Sequence, residues 1–156
     1  MGSLMTIEQL TVFLENSTGK MVEVLEALAD AGVDLRALSL ADTESFGILR
    51  MIVDKPGLAR SILQNEGYGV ELTGVIPVSV DDKPGAFASA LRILADAGVG
   101  VEYAYVFVAP KYANAGKAYA ILCVDDSNAA IVALAGGGVG VVSGAEMFNG
   151  FIAHGG

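Results

Sequence analysis

Two short polar loops, each at the start of a predicted helix, contain the residues best suited to bind a small molecule. They are residues 16–20 (NSTGK) and residues 82–85 (DKPG). A glycine at the start of a helix lets the backbone approach a ligand closely, and the free amides of the first helical turn attract a carboxylate. A carboxylate or amide side chain on the opposite side would accept an ammonium group. This chemistry suits a zwitterion.

The same polar residues have an alternative interpretation as helix caps. Asn16, Ser17 and Asp82 belong to the residue types that cap helix N-termini, a contribution of about 0.5–2 kcal/mol each. The acidic pairs at residues 81–82 and 125–126 also precede predicted helices, where negative charge is favourable. Because no spaced run of further oxygen ligands accompanies these pairs, capping is favoured over a cation site.

No combination of side chains in the sequence predicts catalysis. The single histidine, His154, lies in a glycine-flanked tail, which excludes a His-based triad or a multi-histidine metal site. The single cysteine, Cys123, lies in an apolar predicted strand and is interpreted as a buried thiol. Residues 136–140 (GGGVG) follow a helix and precede a strand, the reverse of a phosphate-binding loop, and are predicted to end that helix. We therefore expect a non-catalytic protein without a metal or cofactor.

Composition restricts the partners of the chain. The formal net charge is −9, and the nine Lys and Arg residues are scattered, which argues against nucleic acid. No apolar run reaches the roughly 20 residues of a membrane helix, and the start does not resemble a signal peptide. We therefore expect a cytoplasmic protein. The hydrophobic fraction of 53% favours close packing of parts of the chain and a homodimer.

The two loops lie at equivalent positions of an internal repeat. Residues 28–33 (LADAGV) recur as residues 94–99, so the offset between the copies is 66. Further along, residues 53–54 (VD) recur as residues 124–125, where the offset is 71. The difference places five additional residues in the second copy, between about residues 108 and 119. The chain is therefore a duplication.

Each copy is predicted to contain a strand, a helix, two strands, a helix and a strand. The predicted strands are residues 7–14, 35–41, 47–53, 70–73, 75–80, 101–108, 117–124 and 139–142, and the predicted helices are residues 20–31, 56–66, 86–97 and 127–135. This order is that of a ferredoxin-like domain, a four-stranded antiparallel sheet with both helices on one face. We predict domains at residues 5–73 and 74–148, followed by a tail at residues 149–156.

The combination of residues 82–85 (DKPG) with residues 97–101 (AGVGV) resembles an ACT domain. The first copy has residues 16–19 (NSTG), which lack the proline, and residues 31–35 (AGVDL). Residues 36–50 are further similar to the stand-alone tandem ACT proteins of bacteria. The resemblance covers nearly the whole chain.

This resemblance implies an α+β chain of two ferredoxin-like βαββαβ domains, paired side by side with antiparallel sheets and helices on one face. ACT domains are regulatory modules that bind small molecules, usually amino acids, at interfaces between paired domains. In such pairs, the loop after the first strand of one domain faces the start of the second strand of its neighbour. The ligand-binding residues implied here are Asn16, Ser17, Thr18, Gly19, Lys20, Asp34, Leu35, Asp82, Lys83, Pro84, Gly85, Gly100, Val101 and Glu102.

The two implied sites differ in chemistry. The loop with Asn16 would face Gly100, which has no side chain, whereas the loop with Asp82 would face Asp34, whose carboxylate suits an ammonium group. The resemblance therefore implies a regulatory protein that binds an amino acid between its two domains, better at one site than at the other. The alternative is a regulatory or interaction subunit of an amino-acid biosynthetic enzyme such as acetolactate synthase.

Overall fold

The computed structural model describes residues 6–15, 17–107 and 116–148. The chain forms two compact units, which we call the N-terminal unit, residues 8–73, and the C-terminal unit, the described residues from 74 to 148 with residues 6 and 7. The elements in chain order are β1 (Ile7–Glu15), α1 (Lys20–Asp30), β2 (Leu35–Asp42), β3 (Phe46–Val53), α2 (Pro56–Asn65), β4 (Gly69–Asp81), α3 (Ala86–Asp96), β5 (Val101–Val106), β6 (Lys117–Val124), α4 (Ser127–Gly136), β7 (Gly140–Val141) and α5 (Gly144–Phe148).

In the N-terminal unit, the strands lie in the order β2, β3, β1 and then residues 69–73 of β4. β1 and β2 both pair antiparallel with β3. Side chains alternate between the two faces of a strand, so every second residue of β1 and β3 packs against α1 and α2. This core contains Leu10, Val12, Leu14, Val24, Leu28, Val33, Leu49, Met51, Val53, Ala59 and Leu63.

In the C-terminal unit, β6 lies between β5 and the second part of β4, and β7 pairs with the other side of β4. The order β5-β6-β4-β7 repeats the order of the N-terminal unit. The core again consists of alternate strand residues packed against two helices, and contains Ile76, Val78, Val80, Ala90, Leu94, Val99, Ala120, Leu122, Ala130 and Leu134. The predicted α+β fold, two ferredoxin-like units with antiparallel strands and helices on one face, is confirmed.

Strand register confirms the duplication residue by residue. Leu14 pairs with Gly47 in the N-terminal unit, and Val80 pairs with Ala118 in the C-terminal unit. Leu14 and Val80 are separated by the offset of 66 found in the sequence, and Gly47 and Ala118 by the offset of 71. The additional residues therefore lie in the connection from β5 to β6, of which residues 108–115 are outside the described ranges.

Local backbone sterics explain how the repeated helices end. Gly32 and Gly98, which follow α1 and α3, have φ angles of +75° and +76°. These left-handed conformations are strained for residues with a Cβ atom, so glycine at these positions provides the C-terminal stop of each helix.

Two parts of the fold differ from the prediction. The strands predicted at residues 70–73 and 75–80 form one continuous strand, β4, which stays extended through Gly74. The short helix α5 was not predicted, although Ser143 and Glu146 form a reciprocal capping box at its start: Glu146 N donates to Ser143 Oγ (3.0 Å) and Ser143 N to Glu146 Oε1 (3.1 Å). Within the described ranges, no helix has the length and apolar character that crossing a membrane requires.

Candidate functional site

A cleft of about 510 Å³ lies beside the loop that joins β1 to α1, and we call it the N-terminal cleft. Four predicted ligand-binding residues, Ser17, Thr18, Gly19 and Lys20, belong to its lining. Asn16 lies outside the described residues. The remaining lining residues are Leu14, Glu15, Met21, Leu40, Asp42 and Gly47.

The sheet explains why this cleft exists. Gly47 pairs with Leu14 on one side and with Asp42 on the other, so these three residues form a row across β1, β3 and β2. A Cβ atom on Gly47 would lie 3.3 Å from Leu40 Cδ1 and 3.9 Å from Leu14 Cβ. The space therefore depends on the missing side chain in the middle of the row.

The start of α1 faces this space with a glycine at its N-cap. Gly19 has a φ angle of +92°, and no side chain in the described ranges caps the helix. The first intrahelical hydrogen bond runs from Glu23 N to Gly19 O, at 3.0 Å. The amides of Met21 and Val22 come before this bond and therefore have no acceptor within the helix. The capping interpretation of Ser17 is wrong, because the left-handed glycine occupies the cap position. The uncapped first turn is suited to an anionic group.

Negative charge surrounds the first turn of α1. The cleft contains the carboxylates of Glu15 and Asp42 and the ammonium group of Lys20, whose Nζ lies 3.5 Å from Glu23 Oε2. Tyr68 OH donates a hydrogen bond to Glu23 Oε2 at 3.0 Å. Burial, followed by this hydrogen bond and nearby glutamate charges, raises the pKa of Tyr68 above 10.0. The cleft is thus rich in groups that accept an ammonium.

The second predicted loop also precedes a helix that no described side chain caps. Gly85 is the N-cap of α3, with a φ angle of +85°. Asp82 is exposed, and the capping interpretation of Asp82 is wrong, because Gly85 occupies the N-cap and makes no side-chain cap bond. By contrast, Asp126 caps α4 as predicted, with its carboxylate accepting from Ala129 N at 3.0 Å. Lys83 and Pro84 are exposed in the loop before Gly85.

The predicted strand-start residues have equivalent backbone contacts in both units. The amide of Asp34 donates to Asp54 Oδ1 at 2.9 Å, and the amide of Gly100 donates to Asp125 Oδ1 at 3.0 Å. The Asp34 carboxylate lies 2.8 Å from Arg36 Nη2, so a ligand ammonium would share it with a guanidinium.

The other predicted strand residues lie at the starts of β2 and β5. Leu35 is half-buried, and Val101 and Glu102 are exposed. Glu102 Oε1 accepts a hydrogen bond from the buried thiol of Cys123 at 3.5 Å. The pairing of each loop with the strand of the other copy stays a prediction.

A second cleft, of about 270 Å³, lies in the C-terminal unit, and we call it the C-terminal cleft. Of the predicted ligand-binding residues, only Lys83 belongs to its lining. Asp81 in this cleft accepts a hydrogen bond from Lys117 Nζ at 2.8 Å and lies 3.9 Å from Lys83 Nζ. The hydrogen bond and charge of Lys117 lower the pKa of Asp81 below 3.8.

Sequence reasoning missed several residues of both clefts. In the N-terminal cleft they include Glu15, Leu40, Asp42 and Gly47. Antiparallel pairing of the predicted strands could have found them, because the turn between β2 and β3 must lie beside the end of β1. The same argument places Lys117 opposite Asp81 in the C-terminal cleft.

The matches with known proteins agree with this architecture. Protein BT0572 from Bacteroides thetaiotaomicron is 33% identical, with 92% of this chain and 96% of that chain covered and a TM-score of 0.83. The regulatory subunit of aspartate kinase from Thermus thermophilus, in a ligand-free form, is 18% identical, with 83% of this chain and 91% of that chain covered and a TM-score of 0.62. The corresponding subunit from Thermus flavus is 16% identical, with 83% and 90% covered and a TM-score of 0.58. At these lower identities the likeness shows the fold alone.

No curated protein matches the chain significantly in sequence. Residues 5–131 match the family described as the ACT domain pair, a regulatory and non-catalytic module. This match covers most of the chain, and the resemblance inferred from the two loops and the repeat is confirmed. The chain belongs to the family of ACT domain pairs.

Proposed function

We propose that this protein is a regulatory protein that binds a free amino acid in the N-terminal cleft. The observation that carries the proposal is the composition of this cleft, where a helix start that no described side chain caps lies beside two carboxylates and an apolar wall. Membership of the ACT domain pair family supports a regulatory function.

Each part of an amino acid has a matching group in the cleft. The α-carboxylate suits the first-turn amides of α1 and the ammonium group of Lys20. The α-ammonium suits the carboxylates of Glu15 and Asp42. The amino-acid side chain suits the apolar surface of Leu14, Met21 and Leu40. The volume of about 510 Å³ falls within the roughly 300–1,000 Å³ of small-molecule sites.

A thermal-shift panel of the twenty amino acids, followed by calorimetry, tests the proposal. A ligand that binds only the folded protein stabilises it by about 2.7 kcal/mol at a concentration of 100 times Kd. We expect a concentration-dependent rise in Tm for at least one amino acid. If none of the twenty shifts Tm at millimolar concentration, the amino-acid proposal is wrong.

A matched pair of substitutions tests the placement of the ligand. Gly47→Val fills the N-terminal cleft, whereas Ala118→Val makes the equivalent change in the C-terminal unit. We expect Gly47→Val to weaken amino-acid binding at least about tenfold, or roughly 1.4 kcal/mol. Ala118→Val should leave the affinity unchanged. Equal effects of the two substitutions would place the ligand elsewhere.

A second candidate function is regulation of an amino-acid biosynthetic enzyme through a direct complex. The regulatory subunit of aspartate kinase from Thermus thermophilus shares this fold, which supports a subunit function here, and acetolactate synthase is another enzyme of this class. Co-purification from native extract, followed by enzyme assays with and without this chain, tests the candidate. A second copy of this chain is the other partner we propose, and sedimentation with and without the bound amino acid measures it.

A further inference from the structure

We propose that the C-terminal cleft is a second, separate site that binds a small oxyanion, either a carboxylate or a phosphate group. It is lined by the end of β4, the loop before α3, one face of α3, the start of β6 and the turn between α4 and β7. All of these segments belong to the C-terminal unit. The proposal therefore does not depend on the amino-acid site in the N-terminal unit.

The charge of this cleft favours an anion. Its charged lining residues within the described ranges are Asp81, Lys83 and Lys117. Both ammonium groups share one carboxylate, with Nζ–Oδ distances of 2.8 Å for Lys117 and 3.9 Å for Lys83. The cleft thus has a surplus positive charge in a chain whose net charge is −9. Because Asp81 is already paired, the cleft lacks the available carboxylate that a zwitterion requires.

The glycines that end α4 bring a tight turn against this cleft. A Cβ atom on Gly140 would lie 2.7 Å from Ser79 Oγ, and one on Gly137 would overlap Ile93 Cδ1. A side chain at either position would therefore displace Ser79 Oγ or the end of the Ile93 side chain. The sequence predicts these glycines only as a helix stop, which the left-handed Gly138 (φ +79°) confirms.

The hydrogen-bond donors of the proposed site are side chains. The amides of Gly137, Gly138 and Val139 donate to carbonyls of α4, so the turn does not form a backbone cradle. Lysine ammonium groups and serine hydroxyls remain as donors, from Lys83, Lys117, Ser79 and Ser89. Such donors bind carboxylate and phosphate oxygens alike. The cleft volume of about 270 Å³ limits the ligand to a small molecule.

An NMR titration of the full chain with sodium phosphate and, separately, sodium acetate tests the proposal. Ionic strength is held constant with sodium chloride, so that general screening does not change. We expect saturable shifts of the amides at residues 79–83, 85–90 and 137–140. Saturation with phosphate alone identifies a phosphate group as the ligand class, and saturation with acetate alone identifies a carboxylate. Shifts that stay linear with both anions would overturn the proposal.

Three substitutions assign the binding to this cleft. Lys117→Ala removes an exposed charge and should weaken anion binding about fivefold, the effect of one charge at about 4 Å in water. Asp81→Asn should strengthen anion binding by a similar factor, a direction that a purely structural ion pair does not predict. Lys20→Ala removes the same charge from the N-terminal cleft and should leave anion binding unchanged.

The outcomes separate this proposal from the amino-acid site. An affinity unchanged by both Lys117→Ala and Asp81→Asn, or weakened equally by Lys20→Ala, would overturn the anion site. Lys117 does not line the N-terminal cleft, so Lys117→Ala should leave amino-acid binding intact. Loss of amino-acid binding in this variant would show that the two sites are not separate.

Discussion

The two copies share one backbone frame, yet their clefts have opposite charge, and one strand pair accounts for part of the difference. At the end of the first strand of each copy, Glu15 pairs with Phe46 in the N-terminal unit, and Asp81 pairs with Lys117 in the C-terminal unit. Phe46 offers no charge to Glu15 and packs edge-on against Phe13, with ring centroids 5.7 Å apart. Lys117 instead donates a hydrogen bond to Asp81. This paired position thus contributes to the opposite charge of the two clefts, together with Asp42 in the N-terminal cleft and Lys83 in the C-terminal cleft.

The shape of the clefts differs for an equally local reason. The row that opens the N-terminal cleft is centred on Gly47, whereas the equivalent position in the C-terminal unit is Ala118. The C-terminal cleft is lined instead by the glycine turn at residues 137–140. The backbone frame is therefore the same in both units, whereas the residues that line the two clefts differ. Substitutions at equivalent positions can test both statements.

The largest expected effect concerns the equivalent cores of the two units. Leu28 and Leu94, the first residues of the repeated LADAGV, are 3% and 0% exposed. Replacing either one with Ala should lower the free energy of unfolding by about 2–5 kcal/mol, from lost burial and an incompletely filled cavity. Urea denaturation measures the loss, and Val22→Ala, at a site 56% exposed, serves as a control within about 0.5 kcal/mol. A loss in only one copy would break the equivalence of the two cores.

The repeated helix stops should give the next largest effect. Gly32→Ala and Gly98→Ala place a Cβ atom in a left-handed conformation, at a cost of about 1–2 kcal/mol each. Gly57→Ala, where φ is not left-handed and the space is open, should be neutral or stabilising by up to about 1 kcal/mol. Thermal unfolding compares the three variants. A neutral Gly98→Ala would show that the two helix ends differ in backbone strain.

Helix capping should give a smaller difference in stability between the two copies. Asp126 caps α4, whereas the equivalent N-cap of α2 is Lys55, which makes no side-chain cap. Asp126→Ala should cost about 0.5–2 kcal/mol, because it removes the acceptor for Ala129 N. Lys55→Ala should cost less than Asp126→Ala, since its exposed ammonium caps no helix and makes only surface contacts, with Gly32 O at 2.9 Å and Asp54 Oδ2 at 3.6 Å. Equal losses in chemical denaturation would contradict this asymmetry.

The smallest expected effect is electrostatic and concerns Asp81. Because Lys117 lowers the pKa of Asp81 below 3.8, the pair stabilises the folded state above the ordinary carboxyl pKa. This contribution is lost as pH falls through the lowered pKa of the folded state. Lys117→Ala should move the Asp81 midpoint upward toward 3.8 in a carboxyl-carbon NMR titration. An unchanged midpoint would show that Lys117 does not act on Asp81 in solution.

Local sequence was a good guide to the elements and a poor guide to the caps. The helix predicted at residues 20–31 is α1 (Lys20–Asp30), and the strand predicted at residues 117–124 is β6 (Lys117–Val124). Ser17 and Asp82 do not cap the helices that follow them, because Gly19 and Gly85 occupy the N-cap in left-handed conformations. A residue type that favours capping is effective only if the chain places it at the cap position.

The sequence by itself determined the duplication, the order of the elements and the glycine stops, because these depend on short-range sterics and on periodic burial. Only the tertiary structure decided the clefts. The row of Leu14, Gly47 and Asp42 joins residues of three strands, and the C-terminal cleft joins Asp81, Lys117 and the turn at residues 137–140. Strand register sets these long-range contacts, so the loop residues that first suggested a ligand show only one wall of each cleft.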